Sequence, residues 1–92
     1  MTDLLTRTVT IVNQRGLHAR AASKFAMTAS QFAAEITVEK DGQTVTGVSI
    51  MGLMMLAAGI GSDITIHVRG DDAREAIDTL TALVEGRFGE NE

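Results

Sequence analysis

Cysteine is absent from this chain of 92 residues, and its aromatic residues are three phenylalanines. Without cysteine there can be no disulfide framework, no thiolate nucleophile and no metal site with cysteine ligands. Small secreted domains commonly depend on disulfides, so this absence favours a cytoplasmic protein. Nucleic-acid binding commonly uses a basic face and stacking aromatics. Because the net charge is −4 and aromatics are scarce, we expect no nucleic-acid partner.

The sequence also lacks a long uninterrupted hydrophobic run. The most apolar stretch, residues 50–60, is interrupted by two glycines and has about half of the ~20 residues that a membrane-spanning helix needs. The first residues show no basic segment followed by an apolar run, so no secretory signal is evident. We expect no membrane insertion, and we expect a single domain over residues 1–92 that is monomeric. A domain of this size has little room for a deep catalytic cleft, which favours a binding or carrier module over an enzyme.

The charges are distributed unevenly along the chain. Residues 1–33 have a balance of +3, and the remaining residues have a balance of −7. A positive region on an acidic body suits a small anion or an acidic patch on a partner protein.

The pattern of apolar residues predicts seven elements. Segments that alternate with period two predict strands, and segments with apolar residues at helical spacing predict helices. The predicted strands cover residues 6–12, 34–40, 43–48 and 64–69, and the predicted helices cover residues 19–30, 50–58 and 73–87. Because every strand alternates, the sheet should be antiparallel with one solvated face. We therefore predict an α+β fold, a two-layer open-faced sandwich whose four-stranded antiparallel sheet is covered on one face by three helices (βαββαβα).

Local signals fix several boundaries. Asp41-Gly42 is a strong two-residue hairpin signal. Ser49 lies where the N-cap of the second helix belongs. Asp72 and Glu75 have the spacing of a capping box, with Asp72 in the role of the capping hydroxyl. Gly89 is expected to end the last helix, and residues 90–92 are expected to be a frayed tail.

A candidate site lies between the first strand and the first helix, in Gly16-Leu17-His18-Ala19-Arg20. Gly16 permits a sharp turn, and His18 falls at or just before the helix start, where backbone N–H groups have no helical partner. The helix terminus favours an anion by about 0.3–1 kcal/mol, and Arg20 can add a planar fork for phosphate oxygens. Neutral imidazole is a competent nucleophile near neutral pH. From the spacing alone, an ordinary surface histidine and a solvated arginine are the favoured interpretation.

The remaining candidates have simpler explanations. His67 lies on the outward face of a predicted strand, and two histidines so far apart do not form a metal site. No cofactor is indicated, and no carboxylate or cysteine partner for His18 is evident, which argues against a stand-alone enzyme. Met51, Met54 and Met55 crowd one short helix. Some of them should belong to the core and at least one should face outward, where methionine suits a surface that docks partners.

Two segments together, Gly16-Leu17-His18-Ala19-Arg20-Ala21-Ala22 and Ser49-Ile50-Met51-Gly52-Leu53-Met54, resemble the signature segments of the HPr family. HPr is the histidine-containing carrier of the phosphoenolpyruvate-dependent phosphotransferase system of bacteria. The resemblance implies that His18 is phosphorylated at Nδ1 by enzyme I and passes the phosphate to an EIIA-type acceptor. It implies further that Arg20 and Ala19 stabilise the phosphate and that Ser49 is a regulatory phosphorylation site for HPr kinase/phosphorylase. The three methionines, Met51, Met54 and Met55, would dock enzyme I and other partners.

The chain departs from the common family pattern at three places. Ala21 replaces a common proline, which the first helical turn tolerates but does not require. Val48 stands where many sugar-type proteins have lysine, and residues 53–56 resemble the nitrogen-related branch. These departures favour a regulatory, nitrogen-type relay over sugar transport. The alternative is a regulatory binding module that is switched by phosphorylation of Ser49.

Overall fold

The computed structural model describes residues 3–92, which form four strands, three α-helices and a final turn of 3₁₀-helix. In chain order these are β1 (Asp3–Thr10), α1 (Ala19–Ala29), β2 (Glu35–Lys40), β3 (Gln43–Thr46), α2 (Ile50–Met55), β4 (Asp63–Gly70), α3 (Ala73–Glu85) and the 3₁₀ turn (Arg87–Gly89). This is the predicted element order, with the short 3₁₀ turn added. Among the described helices, none is long and apolar enough to cross a membrane.

The four strands form one antiparallel sheet in the order β1-β4-β2-β3. Its outer face carries polar cross-strand pairs, for example Thr8 Oγ1 and Thr65 Oγ1, which lie 3.0 Å apart. Its inner face carries the aliphatic residues predicted by the alternation, and the helices cover them. The predicted open-faced α+β sandwich is therefore confirmed.

The core lies between the sheet and the helices. Its largest fully buried side chains come from every layer of the fold: Phe25, Phe88, Ile11, Leu53, Ile64, Ile66, Ile77, Leu80, Val38, Val68 and Val84. Side chains of this size contribute roughly 1.5–3 kcal/mol each on burial. Their burial holds the helices in fixed positions on the sheet. It also fixes the loop that leads into α1.

Several predicted strands and helices extend beyond the ends that the structure shows. β1 ends at Thr10, although Ile11 continues the pairing through its amide, which donates to the Ser62 carbonyl at 2.8 Å. β3 ends at Thr46, not at 48. α2 ends at Met55, not at 58, because Ala57 adopts a left-handed conformation with φ +54° that a helix cannot continue. α3 ends at Glu85.

The predicted capping box at α3 is wrong. Asp72 is the N-cap residue by position, but its side chain makes no capping hydrogen bond. Its two carboxylate oxygens instead accept from the backbone amides of Ala33 and Ala34, at 2.8 and 2.9 Å. Asp72 thus joins the start of α3 to the segment that leads into β2, a tertiary role that sequence spacing does not reveal.

The prediction of a frayed C-terminal tail is also wrong. After α3 the chain reverses through three consecutive left-handed residues, Arg87 (φ +60°), Phe88 (φ +53°) and Gly89 (φ +79°). A non-glycine residue in such a conformation costs about 1–3 kcal/mol and persists only where its surroundings fix it. Here the Phe88 side chain is fully buried, and Lys24 Nζ donates to the Phe88 carbonyl at 2.7 Å. The last residues are therefore directed back towards the start of α1.

Candidate functional site

His18 is the N-cap residue of α1, as the sequence predicted. Its backbone is extended (φ −76°, ψ −178°), and its carbonyl accepts the first helical hydrogen bond from the Ala22 amide at 2.8 Å. Its side chain makes no capping hydrogen bond, and the first turn of α1 contains no acidic residue. Within residues 3–92, the N–H groups at the start of α1, from Ala19 onward, thus have no capping side chain. They remain available to an anion.

The loop before His18 is held tightly against the end of α2. The Gly16 amide donates to the Asn13 carbonyl at 3.1 Å and closes a turn, and the Leu17 amide donates to the Ala58 carbonyl at 2.9 Å. Gly16 has φ +66°, and a Cβ atom there would lie 2.5 Å from the Ala58 carbonyl oxygen. This position requires glycine for both reasons, and the close approach brings the loop after α2 beside His18.

The imidazole of His18 is bound through one of its two ring nitrogens. Nε2 lies 2.5 Å from Oε2 of Glu90, and the two side chains are 17% and 13% exposed. Among residues 3–92, the only hydrogen bond to this ring is the one at Nε2. A carboxylate is only an acceptor, so the proton of a neutral ring lies on Nε2 and Nδ1 carries the free electron pair. Sequence reasoning missed Glu90, because it lies 72 residues away in the predicted tail.

A buried asparagine orients the Glu90 carboxylate. Asn13 is fully buried, and its Nδ2 donates to Glu90 Oε1 at 3.0 Å and to the Gly16 carbonyl at 2.8 Å. Burial raises the pKa of the Glu90 carboxyl, but the hydrogen bonds from His18 and Asn13 and the positive charges of His18 and Arg15 outweigh it. The net effect lowers the pKa of Glu90 below its ordinary value of 4.5. Glu90 is thus an anion at neutral pH.

His67 differs from His18 in its surroundings. Its Nδ1 lies 3.1 Å from Thr6 Oγ1, and its Nε2 lies 3.1 Å from Glu39 Oε1. Both ring nitrogens are therefore engaged within the outer face of the sheet. This arrangement accords with a structural role for His67, and of the two histidines only His18 offers an uncommitted ring nitrogen within the described part of the chain.

Two shallow depressions flank the site. The larger has a volume of about 550 Å³ and is lined by Arg15, Arg20 and Lys24 together with residues 89–92 and Gln14. The smaller, of about 170 Å³, is lined by His18 itself with Arg15, Leu17 and residues 57–59. Arg20 is exposed in the first turn of α1. Three cationic side chains, which can attract phosphate, thus lie beside the helix terminus, together with the acidic residues Glu90 and Glu92.

α2 presents an exposed apolar face next to this loop. Ser49 is its N-cap, as predicted, and the Ser49 hydroxyl accepts from the Gly52 amide at 2.9 Å. Met51, Met54 and Met55 are all exposed, at 70%, 41% and 63%. The expectation that some of them are core residues is therefore wrong. Leu53 is the buried residue of the helix itself, and Leu56 and Ala58 are buried just after it, since a six-residue helix cannot bury more than one narrow side.

The sequence and the fold were compared with those of known proteins. The family model described as the PTS HPr component phosphorylation site matches residues 5–86. The phosphocarrier protein HPr of Cupriavidus necator is 48% identical over 89 residues, covering 97% of this chain and all of the relative. The phosphocarrier protein NPr of Shewanella violacea is 48% identical over 86 residues, covering 94% of each chain.

Among solved structures, HPr-C-His from Thermoanaerobacter tengcongensis superposes with a TM-score of 0.91 at 44% identity, covering 96% of this chain and 99% of that one. Sequence family, full-length relatives and fold thus agree with one another. The chain belongs to the HPr family of the phosphotransferase system, whose members are phosphocarrier proteins and not catalytic enzymes.

Proposed function

We propose that His18 is the residue that carries the phosphoryl group, accepting it at Nδ1 from enzyme I in the cytoplasm and passing it to an EIIA-type acceptor. The observation that carries this proposal is the unequal use of the two ring nitrogens. Nε2 is engaged by Glu90, whereas Nδ1 has no hydrogen-bond partner among residues 3–92. A nucleophile needs an available electron pair, and Nδ1 is where this ring has one.

The proposed transfer to His18 is a nucleophilic substitution at phosphorus. The electron pair on Nδ1 attacks the phosphorus carried by enzyme I, and the bond from phosphorus to the donor breaks with its electron pair remaining on the donor. The ring of His18 then holds phosphate at Nδ1 and a proton at Nε2, so the ring itself is cationic. Transfer onward breaks the Nδ1–P bond and returns the electron pair to Nδ1, which restores the neutral ring.

Arg20 and the Ala19 amide are proposed to stabilise the phosphate. The first turn of α1 has free N–H groups and no acidic side chain, and its dipole contributes about 0.3–1 kcal/mol to an exposed anion. Arg20 adds a charge-assisted fork, and such hydrogen bonds are roughly twice as strong as neutral ones. Together these groups are proposed to stabilise the charge of the phosphoryl group while it is bonded to Nδ1.

Met51, Met54 and Met55 are proposed to form the surface that docks enzyme I and the acceptor. Their exposure leaves a flexible apolar face beside the His18 loop, and methionine adapts to partners of different shape. Val48 and residues 53–56 support a nitrogen-type relay over sugar transport. Rates of phosphoryl transfer with nitrogen-type and sugar-type enzyme I would separate the two branches.

Labelling with phosphoenolpyruvate and enzyme I tests the role of His18. The unmodified chain should acquire an adduct that is labile in acid and stable in alkali, which is characteristic of phosphohistidine. His18→Ala should remain unlabelled, and the matched control His67→Ala should be labelled like the parent. Labelling of His18→Ala at the parental level would overturn the proposal.

Phosphorylation of Ser49 by HPr kinase/phosphorylase is the alternative function. It is supported by the position of this half-buried hydroxyl between the exposed side chains of Val48 and Ile50, at the edge of the proposed docking surface. A phosphate there would add negative charge to an apolar face and change its partners. Mass spectrometry after treatment with the kinase and ATP is the test, with Ser49→Ala as the control. Absence of an acid-stable adduct on the unmodified chain would eliminate this alternative.

A further inference from the structure

The C-terminal residues form a strap across the start of α1 that lies outside the segment matched by the family model, which ends at residue 86. The strap is held at four points. Phe88 is buried in the core, and Lys24 Nζ donates to the Phe88 carbonyl at 2.7 Å. Further along, the Gln14 amide donates to the Glu92 carbonyl at 3.0 Å, and the Asn13 side chain donates to Glu90. This anchoring fixes the position of Glu90 at His18.

We propose that Glu90 and Asn13 are positioning residues for phosphoryl transfer, forming a relay from Asn13 through Glu90 to Nε2 of His18. The proposal rests on the function proposed for His18. Asn13 Nδ2 holds Glu90 Oε1 at 3.0 Å, and Glu90 Oε2 lies 2.5 Å from Nε2. Each carboxylate oxygen thus has one partner, which fixes the rotation of the carboxylate. The same logic of nucleophile, base and orienting group operates in catalytic triads, although here the histidine is itself the nucleophile.

Glu90 has two physical effects on the ring. It holds the Nε2–H tautomer, so that the electron pair is on Nδ1 when the donor arrives. It also stabilises the cationic ring that exists while Nδ1 carries the phosphate, because a carboxylate beside Nε2–H becomes an ion pair in that state. The pair is mostly shielded from water, at 17% and 13% exposure, so the interaction is screened less than a surface pair.

The burial of Asn13 supports a dedicated role. Its side chain is fully buried, yet Oδ1 has no hydrogen-bond partner within the described chain. A buried polar atom without a partner is costly, and an apolar residue of similar size would avoid that cost. Asn13 retains instead the one group, Nδ2, that bridges the turn before His18 and the Glu90 carboxylate.

The test compares Glu90→Gln with Glu92→Gln. The two changes remove the same charge from the same strap, but only Glu90 has its side chain at His18 among the described contacts. In single-turnover transfer from enzyme I, Glu90→Gln should lower the maximal rate roughly tenfold or more. The enzyme I concentration that gives half-maximal rate should be unchanged, and Glu92→Gln should transfer like the parent.

Nitrogen-15 NMR of histidine-labelled protein provides a readout that a merely structural role would not change. At a pH where the ring is neutral, the parent should show the proton on Nε2, and Glu90→Gln should show the proton distributed over both ring nitrogens. Asn13→Ala should slow transfer, and the double variant should be no slower than Glu90→Gln alone, as expected of residues that act through one another.

The outcomes separate the two proposals. If His18→Ala is still labelled, the proposed function fails whatever Glu90 does. If labelling requires His18 but Glu90→Gln transfers at the parental rate with an unchanged tautomer, the positioning role is refuted. Equal slowing by Glu92→Gln would refute it as well, because the effect would then come from the general charge of the strap.

Discussion

Replacing Ala57 by glycine should stabilise this protein, although alanine-to-glycine changes commonly destabilise. Ala57 follows the last residues of α2, has φ +54° and is exposed to solvent. Its amide donates to the Met54 carbonyl at 3.1 Å, and glycine can form this bond equally well. Helices commonly end in this way, with glycine at the left-handed position.

The expected gain follows from two opposing contributions. An L-residue in the left-handed conformation costs about 1–2 kcal/mol, which glycine does not incur. Glycine also makes the unfolded chain more flexible, which costs about 0.4–1 kcal/mol. The exposed Cβ of Ala57 contributes little packing. Ala57→Gly should therefore raise the free energy of unfolding by about 0.5–1 kcal/mol, which is an increase in Tm of several degrees for a chain of this size.

Urea denaturation and thermal unfolding measure this change, with Ala82→Gly as the matched control. Ala82 is exposed within the regular helix α3, where glycine should lower stability by roughly 0.5–1 kcal/mol. The same change from alanine to glycine should thus raise the free energy of unfolding at position 57 and lower it at position 82. If Ala57→Gly destabilises the chain as much as Ala82→Gly does, the argument from backbone strain is refuted.

Three further predictions concern the site and its supports. Gly16→Ala should destabilise the chain by about 1–3 kcal/mol, since it adds strain at φ +66° and places a Cβ 2.5 Å from the Ala58 carbonyl oxygen. Urea denaturation measures this loss, and an unchanged midpoint would contradict the prediction. Phe88→Ala should cost about 3–5 kcal/mol by the same assay, because the ring is fully buried, and a loss below 1 kcal/mol would mean that the strap is not anchored there. The pKa of Glu90 is lowered from 4.5 in the folded chain, so its ionisation stabilises the fold above that pH and the contribution is lost as the pH falls through the lowered value. Glu90→Gln should therefore lose less stability than the parent between about pH 6 and about pH 3, and equal acid sensitivity of the two would count against the pairing.

The fold could be predicted almost completely because its signals are local. Alternating strands, helical spacing and the Asp41-Gly42 hairpin each depend on neighbouring residues, and both hairpin residues adopt the positive φ values that such a turn requires, +51° and +83°. The boundaries that failed depend on tertiary packing or on single residues in unusual conformations. Ala57 is the clearest case, because nothing about alanine signals a left-handed residue.

The site could be predicted only in part. His18 and Ser49 lie at helix starts, where the residues around them give the signal. Asp72 also lies at a helix start, but its carboxylate binds a distant loop, so the local prediction failed. The prediction that some methionines of α2 belong to the core was wrong because this short helix is buried through leucine instead, which periodicity over six residues cannot resolve.

Glu90 shows why the carboxylate partner of His18 could not be found from the sequence. A polar C-terminal segment after a glycine has the composition of a frayed end, and only the reversal through Arg87, Phe88 and Gly89 turns it inward. That reversal contains left-handed residues that sequence rules disfavour, and it persists because Phe88 is buried and Lys24 holds its carbonyl. Unfavourable local conformations concentrate where surrounding contacts require them. In this chain the reversal places a carboxylate on one ring nitrogen of His18, and the other nitrogen has no hydrogen-bond partner among residues 3–92.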